Sequence, residues 1–152
     1  MIRLVIDVCI ANKNFAKNFP TVKRLIVERR ALLIYGGSKY LEEAKKNYRL
    51  TTILSEANSS GLSKMLDRRV VDQEAERIAG IMAQAKSCSS YCDDPHLFAL
   101  FALGQPQAIL TSDHRISQCH RCVRRNLGNH FGVKRPRLYL RDSQLKKALA
   151  KT

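Results

Sequence analysis

The chain has 152 residues, 45% of them hydrophobic and 26% charged. That composition excludes a disordered or low-complexity protein and fits one domain, residues 1–152, with a core of its own. Lys and Arg number 27 against 13 Asp and Glu, which leaves a net charge of +14 and a pI near 10.0; such an excess points to polyanionic partners, nucleic acid first and an anionic membrane surface second.

In chain order, Ile2 to Ile6 is a short apolar run interrupted only by Arg3, and Ala31 to Tyr35 and Gln107 to Leu110 are similar runs followed by turn or polar residues. Runs of this length suit strands buried on both faces, the habit of parallel sheets. Helical patterns lie between them: Val22, Leu25 and Ile26 after Pro20; Ile78, Ile81, Met82 and Ala85 within Val71 to Lys86; and Leu97 to Leu103 after Pro95. Strands alternating with helices predict an α/β fold built on crossover connections. Leu62 to Leu66, after Asn58-Ser59-Ser60-Gly61, and Arg137 to Leu140, after Pro136, are predicted as further strands, and Asp142 to Lys151 as a terminal helix with its acid first and its lysines last.

No run of 18 apolar residues occurs, and the first residues lack the charged region and cleavage site of a signal peptide, so a cytoplasmic protein with no membrane partner is expected. Five cysteines, an odd number with Cys9 in an apolar run, suit reduced thiols better than a disulfide framework.

In so basic a chain the few acids are informative. Asp7 follows the first predicted strand and Asp113 follows Ala108-Ile109-Leu110-Thr111, so both stand at the carboxyl ends of predicted central strands, where open parallel sheets build their sites. Asp94 opens the Pro95 helix, and Glu42 and Glu43 lie just past the second strand. Four carboxylates converging on one crevice repel unless a divalent cation neutralises them, and oxygen ligands suit Mg²⁺ or Mn²⁺. Each acid also has a structural use: Asp94 as a helix N-cap, Asp7 and Asp113 at the starts of the segments that follow them, Glu42 and Glu43 on a helix face with Lys45 and Lys46.

Val5-Ile6-Asp7, Tyr35-Gly36-Gly37-Ser38-Lys39-Tyr40-Leu41-Glu42-Glu43, Asp93-Asp94-Pro95-His96-Leu97-Phe98-Ala99-Leu100 and Ile109-Leu110-Thr111-Ser112-Asp113 together resemble the ordered blocks of a PIN domain, over about Arg3 to Leu140. The third and fourth blocks are the most specific. The resemblance implies a three-layer αβα sandwich with a central, mainly parallel sheet, and a ribonuclease dependent on Mg²⁺ or Mn²⁺, a class that includes toxins paired with antitoxin proteins; homodimers are common in it. It carries Asp7, Glu43, Asp94 and Asp113 onto the family's catalytic positions, with Asp7, Asp94 and Asp113 as metal ligands. Glu43 is preferred to Glu42 because Ala44 follows it. Some members carry a further acid beyond the Thr-x-Asp motif, where this chain reads His114-Arg115-Ile116-Ser117-Gln118-Cys119.

Such a site would hydrolyse phosphodiesters through metal-activated water, with no side-chain nucleophile; Thr111 or Ser112 would bond the acids or a phosphate. From His114 to Arg141 the chain has no Asp or Glu but carries Arg115, Arg121, Arg124, Arg125, Lys134, Arg135, Arg137 and Arg141. That is an electrostatic footprint for RNA phosphates, to which Lys39 would add. Cys88, Cys92, Cys119 and Cys122 make two short pairs able in principle to hold a structural Zn²⁺. His96 is expected to support packing or the acid cluster, and Tyr40, Tyr48 and Tyr91 to pack, with base stacking the alternative. Two other function classes therefore compete with the nuclease: a PIN-like module that binds nucleic acid without cutting it, and a zinc-stabilised regulatory or interaction protein.

Overall fold

The computed structural model describes residues 1–85, 93–127 and 137–151. Five strands, β1 (Ile2–Ile6), β2 (Ala31–Gly36), β3 (Ser63–Leu66), β4 (Ala108–Leu110) and β5 (Leu138–Tyr139), form one sheet in the order β3-β2-β1-β4-β5, every neighbour parallel. The intervening helices are α1 (Phe15–Asn18), α2 (Pro20–Val27), α3 (Ser38–Lys45), α4 (Tyr48–Ser59), α5 (Arg68–Gln84), α6 (Pro95–Gly104), α7 (His114–Leu127) and α8 (Asp142–Ala150). The result is the expected three-layer αβα architecture. All five predicted strands are present, the two outer ones shorter than their sequence patterns: Leu62 and residues 137 and 140 fall outside the ladders. Helix α5 begins three residues before the predicted Val71 because Asp67 caps it, its Oδ1 accepting from Val70 N at 3.0 Å. No described helix is long and apolar enough to cross a membrane.

The sheet's middle is fully buried: Leu4, Val5 and Ile6 of β1 and Ala108, Ile109 and Leu110 of β4 are almost solvent-free. Helix α6 packs across β1, β2, β3 and β4, and its residues His96 to Phe101 are all buried. This explains why its apolar residues show little sidedness: a helix covered on every side has no polar face to keep. Helix α5 lies against α6 and α7, while α2 meets β2 and α8.

Strand order runs outward in both directions from β1 and β4, so their adjacent carboxyl ends open a crevice at the switch point. The turn that brings α3 to this crevice depends on Gly37, whose φ of 84° and ψ of 154° lie in a region closed to side chains. A Cβ there would also come within 2.5 Å of Val71 Cγ1. Gly61 also has positive φ (69°) but has nothing within 4 Å of a Cβ position. Gly37→Ala is therefore expected to cost roughly 2–4 kcal/mol in urea unfolding, and Gly61→Ala only about 1 kcal/mol. Equal costs would mean that the Val71 contact relaxes freely.

Candidate functional site

The site grows from the β1–β4 pairing. Asp7 N donates to Leu110 O at 2.8 Å, extending the ladder one step beyond β1 and setting Asp7 beside Thr111. The buried Thr111 hydroxyl donates to Asp7 Oδ2 at 2.6 Å and the Cys9 thiol to the same oxygen at 3.1 Å, leaving the Asp7 carboxylate only 7% exposed. Asp7 stands where it would cap the 3-10 turn Val8–Ile10, yet its side chain makes no capping bond.

Helix α3 is tied down at both sides of the crevice. Ser38 N and Oγ donate to Asp72 Oδ1 and Oδ2 at 2.8 and 2.5 Å, which holds the Asp72 carboxyl below its ordinary range. The buried Tyr40 hydroxyl donates to Ile6 O at 2.6 Å, fixing α3 to the end of β1. Tyr40 is thus a packing residue and not a base-stacking platform. With Tyr40 and Ala44 inward, Lys39 and Glu43, one turn apart, share the face beside the crevice and Glu42 is exposed.

The third wall is the start of α6. Asp94 occupies the N-cap position before Pro95, but its carboxylate does not cap the helix. It accepts instead from Lys39 Nζ at 2.9 Å, and the same ammonium donates to Asp93 O at 2.9 Å. His96, 4% exposed, lies between the acids: Nδ1 is 3.8 Å from Asp94 Oδ1 and Nε2 is 3.9 Å from Glu43 Oε2, beyond hydrogen-bond reach, and neither ring nitrogen has a hydrogen-bond partner among the described residues. A ligand atom from each of Glu43, Asp94 and His96 lies within 4.8 Å of the others.

Electrostatics follow from this crowding. Burial pushes the Asp7 carboxyl above the usual range against the pull of the Thr111 and Cys9 hydrogen bonds, and Asp94 adds repulsion. Burial also raises Glu43, with Lys39 opposing and Asp94, Asp7 and Glu42 reinforcing. Partial desolvation of the thiol and the Asp7 charge raise Cys9, although the residue as a whole is exposed, and its sulfur also accepts from Ser112 Oγ at 3.3 Å. Burial lowers His96 to about 4, so at neutral pH it is an uncharged imidazole with a free lone pair. The two carboxylates of Glu43 and Asp94 and such a nitrogen fit a divalent cation, with Asp7 charged close by: the ion would offset the repulsion and satisfy a buried ring that has no hydrogen-bond partner among the described residues.

Asp113, the fourth expected acid, stands at the same sheet edge but outside this group. Its Oδ1 accepts from Arg115 N at 2.9 Å, in the first turn of α7, and its Oδ2 lies 3.3 Å from Arg115 Nη2. It joins Asp7 through Thr111 Oγ1, which accepts from Asp113 N at 3.1 Å. Arg115 also reaches Asp93 Oδ2 at 3.4 Å. Both Lys39 and Arg115, expected to meet nucleic acid, are thus paired with acids of the rim, whereas Arg121, Arg124 and Arg125 are exposed on α7. Tyr48 is exposed, with the Arg49 guanidinium 5.1 Å above its ring.

Cys88, Cys92, Tyr91, Lys134 and Arg135 lie outside the described residues. Cys119 and Cys122 are disulfide-bonded, contrary to the expectation of reduced thiols, and in that form offer no thiolate to zinc. Sequence reasoning missed Cys9 as a partner of Asp7; His96, expected to support packing or the acid cluster, is buried beside Glu43 and Asp94. The pairing of Glu43 with an α6 side chain had no local signal, since 53 residues separate them. The chain matches no known family model, no curated protein and no solved structure.

Because the folded state holds His96 neutral down to about pH 4 while the unfolded chain protonates it near 6.5, the unfolded state binds more protons in between. Stability is full above about pH 6.5 and falls as pH drops toward 4. Thermal midpoints recorded from pH 7 to 4 in EDTA should therefore decline less steeply for His96→Gln than for the wild type. Parallel curves would show that His96 does not stay neutral.

Proposed function

We propose that the protein is a divalent-metal-dependent ribonuclease with a PIN-like active site, using Asp7, Glu43, Asp94 and His96 at the β1–β4 switch point. The observation that carries this reading is the Asp94 carboxylate, which leaves the helix N-terminus uncapped and joins Glu43 and an unpartnered buried His96. The +14 charge supports a polyanionic substrate. When bound, Mg²⁺ or Mn²⁺ supplies an acidified water and offsets charge building on the phosphoryl oxygens.

The chain's own residues divide the remaining work. Asp7, held by Thr111 and by the rigid end of β1, and Asp94 are the anchoring carboxylates. His96 adds a nitrogen ligand that favours Mn²⁺ over Mg²⁺. Glu43, partly exposed and with its pKa raised, is suited to accept a proton from water at the crevice mouth. Lys39, on the crevice face of α3 beside Asp94, would meet a substrate phosphate there.

Wild-type protein with Mn²⁺ should cleave single-stranded or structured RNA, and EDTA should stop it. Asp7→Asn and Asp94→Asn are expected to lower cleavage by at least about 100-fold. Asp94→Asn should leave the thermal midpoint nearly unchanged, and Asp7→Asn should leave it equal or raise it, because a buried ionised carboxylate with a raised pKa opposes folding. Asp113→Asn should cost less activity, since that carboxylate is engaged by Arg115 and Asn preserves the bond to Arg115 N. Absence of metal-dependent cleavage on a broad RNA panel would replace this reading with that of a non-cutting nucleic-acid module.

A further inference from the structure

Beside β5, at the sheet edge opposite β3, α7 and α8 enclose a groove of about 670 Å³ lined by His120 and Arg124 of α7, Arg137 just before β5, Leu138 and Tyr139 of β5, Gln144, Lys147 and Ala148 of α8, and Lys151 just past its end. Four of these side chains are cations from three separate segments of the chain, and no lining residue is acidic. None of Arg124, Arg137, Lys147 and Lys151 makes an ion pair with any described acid. By contrast, Lys39 and Arg115 at the acid cluster are paired.

Like charges facing one another across a groove repel, and the arrangement gains energy only when an anion enters. Lys147 and Lys151 are one helical turn apart, about 6 Å along the axis, so they present a row of charge and not a single point. Arg137 O and Tyr139 O bond to Ile109 N and Thr111 N of β4. The intervening Leu138 backbone therefore faces the groove, where its N–H can meet a phosphate oxygen. Tyr139 lines the same groove, partly buried against the core. A positive channel with an aromatic side chain is the arrangement that holds single-stranded nucleic acid by phosphate and stacking contacts. The described edge strand has only two residues, too short to template a peptide strand, which disfavours an acidic peptide added to the sheet.

We infer that this groove is a second nucleic-acid site, which binds the sugar–phosphate backbone of a single strand at a distance from the acid cluster. It extends the substrate class proposed above and does not use that site's chemistry. It also narrows the expectation from sequence: Arg124 contributes together with the α8 lysines, which the 114–141 segment does not contain.

The test is fluorescence anisotropy of a labelled oligouridylate in EDTA, as a function of salt, with circular dichroism confirming the fold of each variant. Arg124→Gln, Lys147→Gln and Lys151→Gln should each weaken binding several-fold and flatten the salt slope by about 0.7 per lost contact. Lys64→Gln, exposed on β3 at the opposite edge, should change neither. Groove variants indistinguishable from Lys64→Gln overturn the inference, as does tighter binding of polyglutamate than of oligouridylate. Metal-dependent cleavage with unchanged affinity of the groove variants sinks the groove alone. Groove-dependent binding without any cleavage supports the groove and sinks the nuclease reading alone.

Discussion

The structure turns on one hydrogen bond between backbones, Asp7 N to Leu110 O. It carries the parallel ladder past the end of β1 and sets a carboxylate beside Thr111, in the crevice where strand order reverses. Without that extra step Asp7 would leave the sheet with the chain and face water, where a carboxylate is cheap to ionise. Held inside, it accepts two hydrogen bonds on one oxygen and still sits in an environment that disfavours its charge. Everything else in the site responds to this strained electrostatic position: α3 is pinned to Ile6 O through Tyr40, and α6 brings a second carboxylate close enough to repel the first.

Lys39 is the described cation that reaches into this cluster, and it lies against Asp94 and the Asp93 carbonyl, not against Asp7. The negative charge is therefore only partly offset from within the chain. A folded protein tolerates such a deficit at a place where a ligand completes the balance, because optimal stability there would leave nothing for the ligand to bind. The separation of roles is spatial as well. Lys39 and Arg115, paired with acids, stand at the carboxyl edge of β1 and β4, while four cations with no ion pair to a described acid line the groove beside β5.

Much of the fold was legible in the sequence because its information is local. The continuous apolar runs of β1 and β4 reflect burial on both faces, and Pro20 and Pro95 mark the starts of α2 and α6. Helix α4 escaped notice although Leu50, Leu54 and Ala57 form a buried stripe, since Thr51, Thr52 and Ile53 are β-branched and blur the helical preference. In the site, Asp7 and Asp94 drew notice from their places at element ends, and Glu43 was preferred to Glu42 because Ala44 follows it; in the fold, buried Tyr40 and Ala44 leave Glu43 beside α6 and Glu42 exposed. The bonds of Thr111 and Cys9 to one oxygen, and the His96 ring between Glu43 and Asp94, are products of tertiary packing between distant segments. No spacing within the sequence encodes them. Asp113 stands at the strand end that suggested the same role as Asp7, and there its neighbour Arg115 engages both carboxylate oxygens.

The central claim is that Asp7, Glu43, Asp94 and His96 form one divalent-cation site. Electron paramagnetic resonance of the protein titrated with Mn²⁺ tests it most directly, with nitrogen couplings read from the bound ion. The account expects a saturable site whose signal carries a coupling to one imidazole nitrogen; His96→Gln removes that coupling and Asp94→Asn removes tight binding. A Mn²⁺ signal that never saturates, or a bound ion whose nitrogen coupling survives His96→Gln, would contradict it.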